Sequence, residues 1–285
     1  MELSELFHVD QADVGDFTPD VFIAASGYEM RCRYIPGTLR PDAKRKIALA
    51  FKENTTDLSR PQNDEFYRKN GFEHIRVSGK TTPDYEKILN LEPGNEIRIL
   101  MDISCMTKNW YFGLIRYLAY VNLFEKVSLR ILYSPAKYDD PPGYRRNFVM
   151  EDYHLMRKHP RRIQEDKKNA VIMGLGVEKD LSHKVHELLQ PDELFLMYAD
   201  PTSEKKYVEK VYVHNHRVIE KVPIRHLVGY PINNAHEAYQ HLINVILPLR
   251  HDHTVTLVPL GPKIFSLLCF IAQVSDDDIR LRYPV

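Results

Sequence analysis

Asp102-Ile-Ser-Cys-Met-Thr-Lys108 closes an apolar run and opens a helical pattern that carries the chain's single tryptophan. A carboxylate, two hydroxyls and an ammonium in so short a stretch form a set suited to a phosphate-bearing ligand. A helix that starts near Thr107 presents free backbone N–H groups and the positive end of its dipole, both suited to an anion. Thr107 can cap that helix, Ser104 can donate its hydroxyl, and Lys108 offers phosphate a point charge. Met106 lies in the same turn. Asp102 can take a ribose hydroxyl, hold the loop or act as an acid–base group. The competing role for Asp102 and Ser104 is bracing the turn, since Ser, Thr and Asp favour such positions without function.

A second constellation, Ser26-Gly27-Tyr28-Glu29 followed by Arg31, ends an earlier strand. Gly27 permits a tight turn. Glu29 can recognise a ribose or base, serve as the carboxylate of an enzyme that cleaves nucleosidic bonds, or stabilise the first turn of the next helix. Both constellations have counterparts later in the chain. "GLGVE" repeats the glycine and glutamate as Gly176 and Glu178, and "PLGPK" repeats a small-residue turn before a lysine as Gly261 and Lys263. Arg31 and Arg33 have no such counterparts, which points to one better-equipped site rather than two equal ones.

The elements that must position these residues alternate between strand and helix. Short apolar runs at 20–26, 45–51, 73–78, 96–104 and 127–135 read as strands, with helical patterns at 61–70, 83–91 and 107–124 between them. The second half runs through strands at 169–176, 193–200, 253–261 and 278–284, with an extended stretch at 222–230. Its helices read as 178–189, 203–215, 234–246 and 263–274. Such alternation implies parallel strands joined by right-handed crossovers. The matched order predicts an α/β chain of two tandem, pseudo-two-fold-related Rossmann-like doubly wound parallel sheets. The first unit is expected over 1–138, a connector over 139–168, and the second unit over 169–285. In such sheets ligands bind at the carboxyl ends of the strands near the switch point, where both constellations would fall.

Lys plus Arg and Asp plus Glu are 39 each, so no global field draws the chain to nucleic acid or membrane. The basic stretches "YRRNF" and "RKHPRR" near 144–162 could touch RNA or DNA, but a solvated connector explains them equally and direct nucleic-acid binding is disfavoured. Cys32, Cys105 and Cys269 are scattered, without the spacing of a zinc site or disulfide framework. The acidic start lacks the apolar core of a signal peptide, and no apolar run is long enough to cross a bilayer. A cytoplasmic protein without membrane attachment is expected. His214 with His216, and His251 with His253, have spacing permissive of metal binding but no neighbouring carboxylate or cysteine ligand, so solvated histidines and no metal are expected. Trp110, Tyr111, Tyr117 and Tyr120 share helical spacing and read as core or interface. "GLG" lacks the third glycine of the dinucleotide fingerprint, so no cofactor is implied.

The pieces "SGYE", "DISCMTK", "GLGVE" and "PLGPK" on tandem Rossmann-like units resemble the CARF and SAVED group. These are sensor domains of bacterial antiviral defence systems that bind cyclic or linear oligonucleotide messengers. The resemblance implies a nucleotide ligand and, since this chain carries no evident effector segment, a separately encoded effector partner; a homo-oligomer is compatible with it. Three readings stay open. One is a nucleotide-messenger sensor. Another is an enzyme hydrolysing a nucleotide or nucleoside, a phosphodiesterase or glycosidic-bond hydrolase with Glu29 or Asp102 in acid–base roles and Lys108 on phosphate. The third is a non-catalytic scaffold.

Overall fold

The computed structural model describes residues 5, 6, 8, 9, 17–136, 149–152, 167–202 and 205–284. The chain divides into two compact units, one essentially Val9–Ala136 and the other essentially Lys137–Val285.

The first unit is built on β1 (Val21–Ser26), β2 (Arg45–Phe51), β3 (Glu73–Val77), β4 (Gly94–Asp102) and β5 (Phe124–Leu132). These form one parallel sheet in the order β3-β2-β1-β4-β5. All six residues of β1 are buried, as an unbroken apolar run covered on both faces must be. β3 and β5, at the edges, keep part of their surface. The crossovers carry α1 (Tyr34–Leu39, entered through a 3-10 turn at Met30–Arg33), α2 (Arg60–Lys69), α3 (Tyr85–Leu89) and α4 (Lys108–Tyr120). Trp110, Tyr111 and Phe112 of α4 are fully buried, whereas Tyr120 is exposed. α4 stops earlier than its apolar pattern suggests. Val121 takes an extended backbone, and the chain re-enters the sheet at Phe124.

In the second unit, β7 (Lys168–Gly174), β8 (Glu193–Ala199), β9 (Leu227–Tyr230), β10 (His253–Pro259) and β11 (Arg280–Pro284) are parallel. They alternate with α5 (Leu181–Leu189), α6 (Lys205–Ile219), α7 (Ala235–Leu249) and α8 (Lys263–Ser275). With β6 (Met150–Asp152) they form a mixed sheet in the order β6-β11-β10-β7-β8-β9. Counted from β1 and from β7, the parallel strands of both units stand in the order third, second, first, fourth, fifth. Residues Ile264–Gln273 of α8 are buried all round, which marks it as an internal helix.

Two local expectations change. The stretch expected to be extended over 222–230 makes a 3-10 turn at Ile224–His226 before β9, after Pro223 has fixed its entry. The stretch expected as connector contributes β6, whose Met150, Glu151 and Asp152 pair antiparallel with Pro284, Tyr283 and Arg282. Backbone pairing and the 2.8 Å contact of Arg282 Nε with Asp152 hold this three-residue strand, which no apolar pattern announces. The basic stretches at 144–148 and 157–162 lie outside the described residues.

Candidate functional site

β1 and β4 are adjacent and parallel, so the turns at their carboxyl ends emerge side by side where the strand order reverses. Gly27 is where they meet. A Cβ there would stand 3.3 Å from Cys32 Sγ and from the Phe51 ring, and 3.6 Å from Cys105 Cβ. The Cys32 and Cys105 thiols are hydrogen-bonded to each other, which holds Cys32 below the ordinary thiol value and, with burial, pushes Cys105 up.

Four of the expected ligand-facing side chains, Ser26, Asp102, Ser104 and Met106, point inward. Ser26 is buried and donates its hydroxyl to Asp64 Oδ1 at 2.5 Å. Asp102 is buried and accepts the Ser104 amide N–H at 2.9 Å, while Ser104 Oγ accepts the Ser134 amide at 2.8 Å. Met106 is buried too. Asp102 and Ser104 thus brace the strand-4 turn and tie it to the segment after β5. Thr107 occupies the N-cap position of α4 in an extended conformation, but its side chain makes no capping bond. The Ser78–Lys80 loop packs on this helix start instead. Trp110 Nε1 donates to Ser78 O at 2.9 Å, Asn109 Nδ2 donates to Lys80 O at 3.0 Å, and the Thr107 hydroxyl is buried. Lys108 is the first helical residue.

Glu29 is exposed and gripped by Arg31, Nε to Oε2 at 2.6 Å and Nη2 to Oε1 at 3.2 Å. Arg31 Nη1 also donates to Ser134 O at 2.5 Å. Burial works against the Arg31 charge, but the bonds to Glu29 outweigh it and hold the guanidinium above its ordinary pKa. Tyr28 donates its hydroxyl to Glu53 O at 2.9 Å and leans its ring on Phe51, with centroids 5.1 Å apart. Its ring forms a wall of an open groove of about 600 Å³, completed by Asn54, Thr56, Asp57 and Leu58.

Beneath this turn lies a buried polar cluster supplied by α2. Arg60 Nε donates to Asp64 Oδ1 at 2.7 Å, and the same oxygen meets Ser26 Oγ at 2.5 Å and His74 Nε2 at 3.0 Å. Burial raises the Asp64 pKa, but the bonds from Arg60, Ser26 and His74 overcome it and hold the carboxyl below its ordinary value. Asn63 Nδ2 donates to Gly27 O at 2.8 Å and to Glu29 O at 2.9 Å, fixing the strand-1 turn by its backbone. Glu53, bonded by the Ser78 hydroxyl and the Gly79 amide, is likewise held low, the Ser78 bond being the larger cause. Sequence reasoning missed Arg60, Asn63 and Asp64, because a polar helix reads as a solvated face. The available signal was an Arg–Asp pair four residues apart with an asparagine between them in a helix otherwise short of apolar residues.

In the second unit Gly174 and Gly176 allow the first-strand turn to lie flat against the fourth. A Cβ on Gly174 would come 2.5 Å from the Phe265 ring, and one on Gly176 would come 2.5 Å from Leu260 O. Gly261 faces Leu175 O across the same contact. Asn215 Nδ2 donates to Gly176 O at 2.8 Å, and Asn215 Oδ1 accepts from Ser182 at 2.5 Å. Glu178 is exposed, and Lys263 opens α8 as Lys108 opens α4. His214 and His216 lie on α6 and donate to separate backbone carbonyls, Val177 O at 2.5 Å and Val213 O at 3.0 Å.

Among the described residues no group of three or more His, Cys, Asp or Glu is placed to hold a metal ion, and no helix is long and apolar enough to cross a membrane. No protein-family model, no curated protein and no solved structure matches the chain.

Proposed function

We propose that the chain consists of two Rossmann-like units derived by duplication, and that it binds a nucleotide at the carboxyl edge of the first. Its output would pass to a separately encoded effector, as in a messenger sensor of bacterial antiviral defence. The observation that carries the nucleotide reading is that Gly27 leaves room for the Cys105 side chain, so the strand-1 and strand-4 turns lie together at the switch point.

Binding is favoured over catalysis by how the two candidate carboxylates are used. Glu29 is engaged through both oxygens by Arg31, and Asp102 is buried under the turn it braces. A general acid–base group must come within hydrogen-bond reach of the proton it moves; Asp102 is buried, and Glu29, though exposed, is committed to its ion pair with Arg31.

The test is equilibrium titration of the purified chain with linear and cyclic nucleotides, with product analysis of each mixture. Saturable binding without turnover is the expected result. Turnover that falls at least ~100-fold in Glu29→Gln, as for loss of an acid–base group, would replace the sensor with the hydrolase. Absence of binding across the panel would leave the scaffold.

A further inference from the structure

Arg60, close to the strand-1 turn, uses only part of its binding capacity. It is fully buried, its Nε is spent on Asp64, and Nη1 and Nη2 have no hydrogen-bond partner. Asp64 Oδ1 is shared by Arg60 Nε, Ser26 and His74, while Asp64 Oδ2 stands 3.7 Å from Arg68. A guanidinium is a planar fork whose paired N–H groups match the oxygens of phosphate.

The groove walled by Tyr28, Asn54, Thr56, Asp57 and Leu58 lies on the loop that leads into Arg60. Tyr28 lines the groove and lies close enough to Arg60 to interact with its charge. Burial raises the phenol pKa while the nearby Arg60 charge pulls it down, and Glu53 and Asp57 act in the opposite sense to Arg60. The Tyr28 side chain is held by its hydrogen bond to Glu53 O, by its contact with Phe51 and by the attraction of its phenol to the Arg60 guanidinium. The groove volume of about 600 Å³ lies within the usual span of small-ligand sites.

We propose that the groove beside Tyr28 is the seat of the nucleotide and that Arg60 binds its phosphate through Nη1 and Nη2, reached when the Tyr28 ring turns aside. This rests on the nucleotide reading and moves the phosphate from the start of α4 to the start of α2. Asp57, facing the groove, accepts hydroxyl or amino hydrogens of the sugar or base, and the displaced Tyr28 ring offers a stacking face.

The test is calorimetric titration of the full chain with the 5′-monophosphates of adenosine, guanosine, cytidine and uridine, and with the four parent nucleosides. At least one monophosphate should bind at least ~10-fold tighter than its nucleoside, the margin a charge-assisted bond supplies. Arg60→Lys should remove that margin while nucleoside affinity stays. Thr56→Trp, which fills the groove from an exposed position, should abolish binding of both while leaving the melting temperature in place. If Arg60→Lys fails to fold, Thr56→Trp decides, and wild-type affinity in it overturns the inference. Undiminished phosphate preference in a folded Arg60→Lys overturns it as well. Loss of binding in Lys108→Ala alone puts the phosphate at α4 and leaves the nucleotide reading standing. Failure of every monophosphate to bind wild type overturns this inference, and the nucleotide reading then stands or falls on the titration with cyclic and linear nucleotides.

Discussion

At the end of its first strand each unit turns the chain at a glycine whose carbonyl is held by an asparagine from the helix after the second strand. Asn63 on α2 holds Gly27, and Asn215 on α6 holds Gly176, each at 2.8 Å. Around this shared bond the units diverge. The first backs it with charge, since Arg60, Asp64 and His74 meet under the turn. The second backs it with a neutral Ser182–Asn215 bond and with Phe265 stacked on Tyr230, centroids 5.2 Å apart. The same turn is therefore held by two chemistries, and the difference separates stability from ligand capacity. A charge kept inside a fold is costly unless paired, and leaving Arg60 with two unpartnered nitrogens makes sense if a ligand completes it.

Removing Asp64 should have the largest effect. Asp64→Ala leaves Arg60 buried without its counter-charge, a loss of about 3–5 kcal/mol in denaturant unfolding. Ser182→Ala, the neutral counterpart, should cost about 1–3 kcal/mol. Equal costs would erase the contrast between the charged and neutral supports.

The asparagines come next. Asn63→Ala and Asn215→Ala each strip a buried carbonyl of its donor and should each cost about 1–3 kcal/mol. Similar values in unfolding experiments would support equivalent roles. A cost near zero for either would show that its turn is fixed by other contacts.

Acid sharpens the contrast further. Asp20, Glu53, Asp64 and Glu73 are all held below their ordinary values, and all lie in the first unit. For Asp20, burial pushes upward but Lys44 and the Arg98 amide prevail; for Glu73 the Arg45 bond is the main cause. A depressed folded-state pKa gives stability that is present above the unfolded value of about 4 and is lost as pH falls through the folded value. Hydrogen exchange followed from neutral pH to below about pH 4, corrected for intrinsic rates, should show the first unit losing protection before the second. Asp64→Asn should lessen that acid response. The reverse order of protection loss would break the assignment of charge-based stability to the first unit.

The division of labour between sequence and structure follows from the same chemistry. Strand–helix alternation was legible because unbroken apolar runs such as residues 21–25 leave no surface reading, and the glycines of both first-strand turns stood out by recurrence. The inward aim of Asp102 and Ser104 was not legible, since a polar side chain after a strand can face ligand or backbone with the same spelling. The α2 cluster was hidden for a different reason. Its partners, Ser26 and His74, come from other elements, and only the fold makes Asp64 interior.

The smallest effects on stability should come from the two helix-opening lysines, and for that reason they discriminate most cleanly. Lys108 and Lys263 each occupy the first position of a helix, where the macrodipole disfavours a cation by only a few tenths of a kcal/mol. Both are partly exposed. Lys108→Ala and Lys263→Ala should therefore each stay within about 0.5 kcal/mol of wild type in unfolding. Binding separates them. With phosphate at Arg60, Lys108→Ala removes a neighbouring positive charge from the same sheet edge and should weaken adenosine or guanosine monophosphate by less than Arg60→Lys does. Lys263→Ala should leave that affinity unchanged, because the second unit's turn is closed by Gly174 against Phe265 and Gly176 against Leu260. Equal losses from the two lysine variants would make the second unit a binding site in its own right, and the contrast between a charged receptor turn and a packed one would fail.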